Sequence, residues 1–122
     1  MSQLQLPSVK KGEFVALDVE TFGQPDGKVH RPNGTFACLS VATAKEHFQI
    51  YDQKEIKNVL RACKDGTWVF HNALYDLTQL RRFANIPPRF IWDIMLVDQS
   101  MCGGLYRTFS LSDLSRRWLG KQ

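Results

Sequence analysis

The sequence predicts a mixed α/β domain whose sheet starts antiparallel and continues with parallel additions. Three observations carry that prediction. Phe14, Val15, Ala16, Leu17 and Val19 form a nearly continuous apolar run, the mark of a central strand. Residues 35–43 (TFACLSVAT) and 46–51 (EHFQIY), joined only by Ala44 and Lys45, read as an antiparallel strand pair. Beyond Asp52, strand and helix patterns alternate, as they do when parallel strands are connected by helices.

The elements follow in order. Residues 1–12 read as a polar tail ended by Lys10, Lys11 and Gly12, and residues 13–122 as one domain. The first strand spans Glu13 to Glu20, and its apolar run is the kind expected where both faces are buried. From Phe22 to Gly34 the chain is rich in Gly, Pro, Asp and Asn, and is expected to be a loop. Asp52 and Glu55 have capping-box spacing ahead of Ile56, Val59, Leu60 and Cys63, which share one helix face. Gly66 ends that helix. Residues 67–70 (TWVF) form a short strand, and a helix from about Ala73 to Ala84 stops before Pro87 and Pro88. Residues 90–92 (FIW) form another strand, with Asp93 placed to cap a helix bearing Ile94, Val97 and Met101. Ser110 and Asp113 can cap a last helix, with Leu111, Leu114 and Trp118 inward and Gly120 just past its end. Trp68, Trp92 and Trp118 all hold apolar positions, so core packing is their expected role. The order is β-β-β-α-β-α-β-α-α.

A length of 122 residues suits one domain, and 43% apolar with 23% charged residues supplies a core and a solvated surface. No run of 18 uncharged apolar residues occurs, so no membrane-spanning helix is expected. The N-terminus has no apolar run behind a basic region, which argues against a secretory signal and for the cytoplasm. Cys38, Cys63 and Cys102 are odd in number, far apart and without a CxxC pair, so buried free thiols are expected rather than a disulfide or zinc framework. The net charge of +4 permits contact with phosphate backbones without establishing it. His30, His47 and His71 lie at no ligand spacing and read as surface or capping residues. The pairs Arg81-Arg82 and Arg116-Arg117 read as solvated helix faces.

Chemistry enters where the first strand ends. Asp18 and Glu20 are two apart on a strand and so point to one face. They project from its C-terminal edge, where sites in open α/β sheets lie. Carboxylates this close repel, a divalent cation relieves the repulsion, and hard oxygen ligands suit Mg²⁺ or Mn²⁺. Taken alone, the pair also allows one acid to cap a turn while the other meets a lysine. The second cluster, His71, Asn72, Tyr75 and Asp76, directly follows the TWVF strand. On a helix, Asn72 and Asp76 share a face near its start. An ordinary N-cap accounts for Asn72, and the positive helix end favours Asp76. Neither accounts for a second strand that ends as the acidic one does.

Together, residues 14–22 (FVALDVETF) and 68–80 (WVFHNALYDLTQL) resemble the proofreading-type 3′–5′ exonucleases with four acidic residues. Asp18, Glu20 and Thr21 look like their first motif, and Asn72, Tyr75 and Asp76 like their second. Residues 91–96 (IWDIML) and 111–120 (LSDLSRRWLG) are similar to the ribonuclease D and DNA polymerase I exonuclease branch, so the resemblance spans about residues 13–120. It implies a ribonuclease-H-like fold, and release of nucleoside monophosphates from the 3′ end of single-stranded DNA or RNA. It further implies two divalent cations, Mg²⁺ or Mn²⁺, held by Asp18, Glu20 and Asp76 as catalytic residues, with Asp18 bridging both ions and Asp76 often acting through water. By the same resemblance, Thr21, Asn72 and Tyr75 would contact the terminal nucleotides. Phe22 and the loop bearing Lys28, His30 and Arg31 would border the substrate strand.

The sequence departs from the family at one place. The third motif, Tyr-x-x-x-Asp or His-x-x-x-Asp, supplies the fourth carboxylate and the residue that orients or deprotonates the attacking water. No such spacing follows Gly104, and the sequence stops at Gln122, about where that helix would begin. Asp98 and Asp113 read as helix-face or capping residues. The expectation is an exonuclease-like domain lacking its third-motif helix, with weakly held metal, reduced hydrolysis and part of a sheet face uncovered. Three readings stay open: a fragment of a longer exonuclease or polymerase, a short non-catalytic module binding nucleic acid or a protein, and a site completed by another chain or copy.

Overall fold

The computed structural model of the chain describes residues 6–22, 35–102, 104 and 108–120. Strand β1 (Phe14–Thr21) alternates buried Val15, Leu17 and Val19 with exposed Phe14, Ala16, Asp18 and Glu20. Strand β2 (Phe36–Ala42) runs antiparallel to it, and β3 (His47–Ile50) antiparallel to β2. The turn between β2 and β3 is fastened by Thr43, whose N–H donates to the Glu46 carbonyl at 2.8 Å and whose hydroxyl accepts the Glu46 N–H at 3.0 Å. A single 3-10 turn, Gln53–Glu55, leads into α1 (Ile56–Ala62), and Asp52 starts it by accepting the Lys54 N–H at 2.9 Å.

The remaining strands join in parallel. Strand β4 (Thr67–Phe70) pairs with β1, helix α2 (Ala73–Leu80) follows, and β5 (Phe90–Asp93) pairs with β4. Helix α3 (Ile94–Cys102) comes next, then α4 (Leu111–Leu114), which runs into a π-helical turn, Ser115–Leu119, ended by Gly120 at φ +69°. The sheet order is β3-β2-β1-β4-β5. The expected architecture therefore holds: three antiparallel strands, then parallel additions.

One face of the sheet makes the core. Val15, Leu17 and Val19 meet Leu39, Val41, Trp68 and Phe70 there, beneath Ile56, Val59 and Leu60 of α1 and Leu80 of α2. Trp68 is fully buried, and its indole N–H donates to the Cys63 carbonyl at 2.8 Å. Cys63 and Cys102 are buried free thiols as expected, while Cys38 is only half-buried on β2. Burial pushes the Cys63 thiol up to about 12, so it behaves as a hydrophobe.

Several expectations are corrected. Among the described residues β1 is covered on one face, not two: Phe14 is 61% exposed, and α3 and α4 reach the open side around Ile94 and Leu111. An apolar run records what a strand can bury but not how many layers lie over it. Trp92 on edge strand β5 and Trp118 are about half exposed and pack in no core, and Leu111 is exposed as well. Trp118 is held instead by polarity. Its indole N–H donates to buried Asp98 at 2.6 Å, and the Arg117 guanidinium pairs with the same carboxylate. Arg117 is thus no solvated residue, and Asp98 fastens the C-terminal turn to α3. Ser110 and Asp113 form the expected reciprocal cap, with N–H donors at 3.1 and 3.2 Å. Within the stretch read as a polar tail, Pro7 is buried and Val9 packs against the core. The loop expected at 22–34 lies outside the described residues except for Phe22.

Candidate active site

The parallel ladder between β1 and β4 runs from Phe14–Thr67 to Ala16–Val69 and stops there. The chain then bends at His71 and Asn72 into α2, leaving the end of β1 without a strand on that side. Asp76, in the first turn of α2, takes the vacant position: its Oδ1 accepts the Val19 N–H at 2.9 Å. A buried backbone donor needs a partner, and here a side chain supplies it. Asp76 itself is 1% exposed.

Asp18 and Glu20 lie on the opposite, open face of the same stretch, beside Ser40 and Cys38 of β2. The β1–β2 register shifts between Glu20 and Thr21. Such irregularities re-aim side chains at strand ends, and the Thr21 hydroxyl lies 2.7 Å from that of Tyr75. Asp18, Val19, Glu20, Thr21, His71, Tyr75 and Asp76 line one concavity of about 320 Å³.

Two of the acids in it, Asp18 and Asp76, hold their protons tightly. Desolvation first, then the hydrogen bond and charge of Glu20, push the Asp18 carboxyl up to about 6, against an opposing pull from His71. Burial pushes Asp76 up to about 7, with the charges of Asp18, Glu20 and Asp93 adding and the Val19 hydrogen bond opposing. Desolvation and like charge thus act together. Among the described residues, no three His, Cys, Asp or Glu side chains are grouped closely enough to hold an ion between them. Asp18 and Glu20 are a pair, and Asp76 is committed to Val19.

Of the residues singled out in the sequence, Asp18, Glu20, Thr21, Tyr75 and Asp76 come together in this concavity. Phe22 and Asn72 do not line it; Phe22 is 60% exposed at the end of β1. Asn72 is not the ordinary N-cap. Its backbone is left-handed (φ 69°, ψ 69°), and its side chain makes no capping bond. The carboxylate of Asp93 caps α2 in its place, accepting the Ala73 N–H at 2.8 Å. Lys28, His30 and Arg31 lie outside the described residues. His71, read as a surface or capping residue, lines the concavity, with Nε2 2.7 Å from the Phe109 carbonyl oxygen. The signal for it in the sequence was its place directly after a strand, as with the acidic pair, and in the structure it shares the concavity with Asp18.

The five-stranded mixed sheet with its flanking helices is a fold this chain shares with several solved structures. Brucella melitensis NrnC superposes with a TM-score of 0.71 at 18% identity, over 90% of this chain and 56% of that one. The catalytic core of RRP6 from Trypanosoma brucei (mutant C496S) gives 0.70 at 16% identity, over 90% and 30%. Escherichia coli RNase D, an exoribonuclease involved in structured RNA processing, gives 0.63 at 15% identity, over 96% and 34%. The chain thus spans about half the length of NrnC and about a third of the other two. NrnC is also known with bound Mg²⁺ and bound to pGG. At these identities the likeness is one of fold. No family model and no curated protein matches the sequence.

Proposed function

We propose that this chain is the core of a metal-dependent 3′–5′ exonuclease that hydrolyses terminal phosphodiesters of single-stranded DNA or RNA to nucleoside monophosphates. The observation that carries the proposal is the Asp18–Glu20 pair sharing one concavity with buried Asp76, in a fold shared with NrnC, RRP6 and the exoribonuclease RNase D.

The donors fit a hard divalent ion. Asp18 and Glu20 open into one concavity, and Mg²⁺ or Mn²⁺ would relieve the like charge that burdens Asp18 there. These two would ligate directly. Asp76, already bonded to Val19, would act through water on a second ion. When bound, two such ions would activate a water and stabilise the leaving 3′ oxygen. The chain's own part is orientation. Thr21 and Tyr75, linked hydroxyl to hydroxyl, would contact the terminal nucleotide, with Asn72 bordering it, and the exposed Phe22 ring would stack on a base. The Mg²⁺ and pGG complexes of NrnC support the ion and the class of ligand. Free Cys38, Cys63 and Cys102 support a reducing, cytoplasmic compartment.

A second reading has its own observation. No three ligating side chains cluster among the described residues. This favours a module of residues 13–122 that binds nucleic acid or a protein without cutting, or a site completed by a carboxylate of another chain or copy. By itself the chain would then cut slowly.

Release of nucleotides from a 3′-labelled single strand, in Mn²⁺ or Mg²⁺ against EDTA, separates the readings. Metal-dependent loss from the 3′ end is expected, and Asp18→Ala should reduce it by more than ~100-fold, since even outer partners of a metal site are worth ~10–100-fold. Unchanged cleavage by that variant would sink the assignment of Asp18. No cleavage by the folded chain, with strand binding kept or tightened in the variant, would favour the binding module.

A further inference from the structure

We propose that Asp93 is a positioning residue for the acidic concavity: by holding the first turn of α2 against the end of β5, it sets where Asp76 meets β1. This rests on the reading of Asp76 as part of the site.

The β4–β5 register makes the contact possible. Phe70 pairs with Asp93, so the carboxylate at the end of β5 lies beside the bend where β4 gives way to α2. Its Oδ2 accepts the Ala73 N–H at 2.8 Å, and its Oδ1 the Asn72 N–H at 3.1 Å. Oδ1 also accepts from Met95 at 3.0 Å and from Leu96 at 3.5 Å, in the first turn of α3. An ordinary α3 cap accounts for the last two bonds and leaves the first two, one of them the shortest, unexplained. Asp93 is 9% exposed, and charge-assisted bonds to backbone N–H groups are what make a buried carboxylate tolerable.

The same bonds explain Asn72. Among the described residues it is the one non-glycine with a positive φ, and its side chain caps nothing. The left-handed bend is held from outside, by a carboxylate 21 residues away in sequence. Four residues beyond the bend, Asp76 reaches the Val19 N–H. Asp93 and Asp76 are thus two links of one chain, β5 to α2 to β1, and loosening the first shifts the second.

Amide hydrogen exchange of the full chain in EDTA, read by NMR, tests this without metal, substrate or activity. In Asp93→Asn, which keeps one acceptor oxygen and replaces the other with a donor, the Val19 amide should lose at least tenfold protection. Amides of Leu39 and Val41 in the same core should keep theirs. Unchanged Val19 protection in the folded variant would overturn the proposal, and so would an equal loss at all three amides, which marks general destabilisation. If Asp93→Asn does not fold, Asp93→Glu, which keeps the charge and moves it by one methylene, is read in the same way. A selective loss at Val19 together with failure of every cleavage assay would refute the exonuclease reading and leave the positioning role standing.

Discussion

Burial makes a carboxylic acid keep its proton, and Asp76 does so up to about 7. The folded state therefore binds this proton more tightly than the unfolded chain. Its stabilising effect is complete below the ordinary carboxylate value of 3.8 and is lost as pH rises to about 7. Asp76→Asn keeps an acceptor for the Val19 N–H and abolishes the charge. In EDTA at about pH 8 the variant should be more stable than the parent, on the order of 2–4 kcal/mol, with the gain vanishing near about pH 4. Calorimetric unfolding at the two pH values reads it, and an equal difference at both would contradict the assigned titration. Asp18, Glu20 and Asp76 were legible in the sequence because each follows an apolar strand run closely, so a local pattern places it. Asp93 was legible only as the cap of the helix it adjoins. Its hold on Asn72 and Ala73 crosses between two strands, and no spacing rule reports that.

Elements are joined here by close approaches that local pattern does not reveal. Gly66, read as a helix breaker, lies under Val9: a Cβ on it would come within 2.3 Å of the Val9 Cγ1 and 3.1 Å of the Glu13 carbonyl oxygen. The segment before β1 is thereby fixed where β4 begins. Gly66→Ala is expected to cost ~1–3 kcal/mol by overpacking. Val9→Ala removes the nearer clash, so the double variant should be more stable than the sum of the single losses, by ~0.5 kcal/mol or more. Urea unfolding measures all three, and strict additivity would show that the two residues do not meet. The helices and strands themselves were readable nearly to their ends, since apolar periodicity and the caps at Asp52, Asp93 and Ser110 mark where they start. Trp92 and Trp118 were not, because a ring at an apolar position can be held by its N–H, as Trp118 is by Asp98, while its face meets solvent.

At the scale of the molecule, the described residues pack one face of the sheet and leave the other largely open, and the acidic pair belongs to the open one. Strand order and direction were legible from the element sequence, because short connections force antiparallel neighbours and helical ones permit parallel neighbours. Coverage of the second face was not, since an apolar strand residue reads the same under a helix as under water. The open face leaves Asp18 and Glu20 accessible to ions and to a strand end, and the whole functional proposal depends on whether they bind metal. Calorimetric titration of the full chain with Mn²⁺, from about pH 5 to about pH 8 and beside Asp18→Ala, is the most direct measurement of that. Ligands must shed their protons to bind, so affinity should rise as pH passes through the values held by Asp18 and Asp76, about 6 and about 7, and should disappear in the variant. Binding that ignores pH, or that survives Asp18→Ala, would place the ion elsewhere and contradict the proposed site.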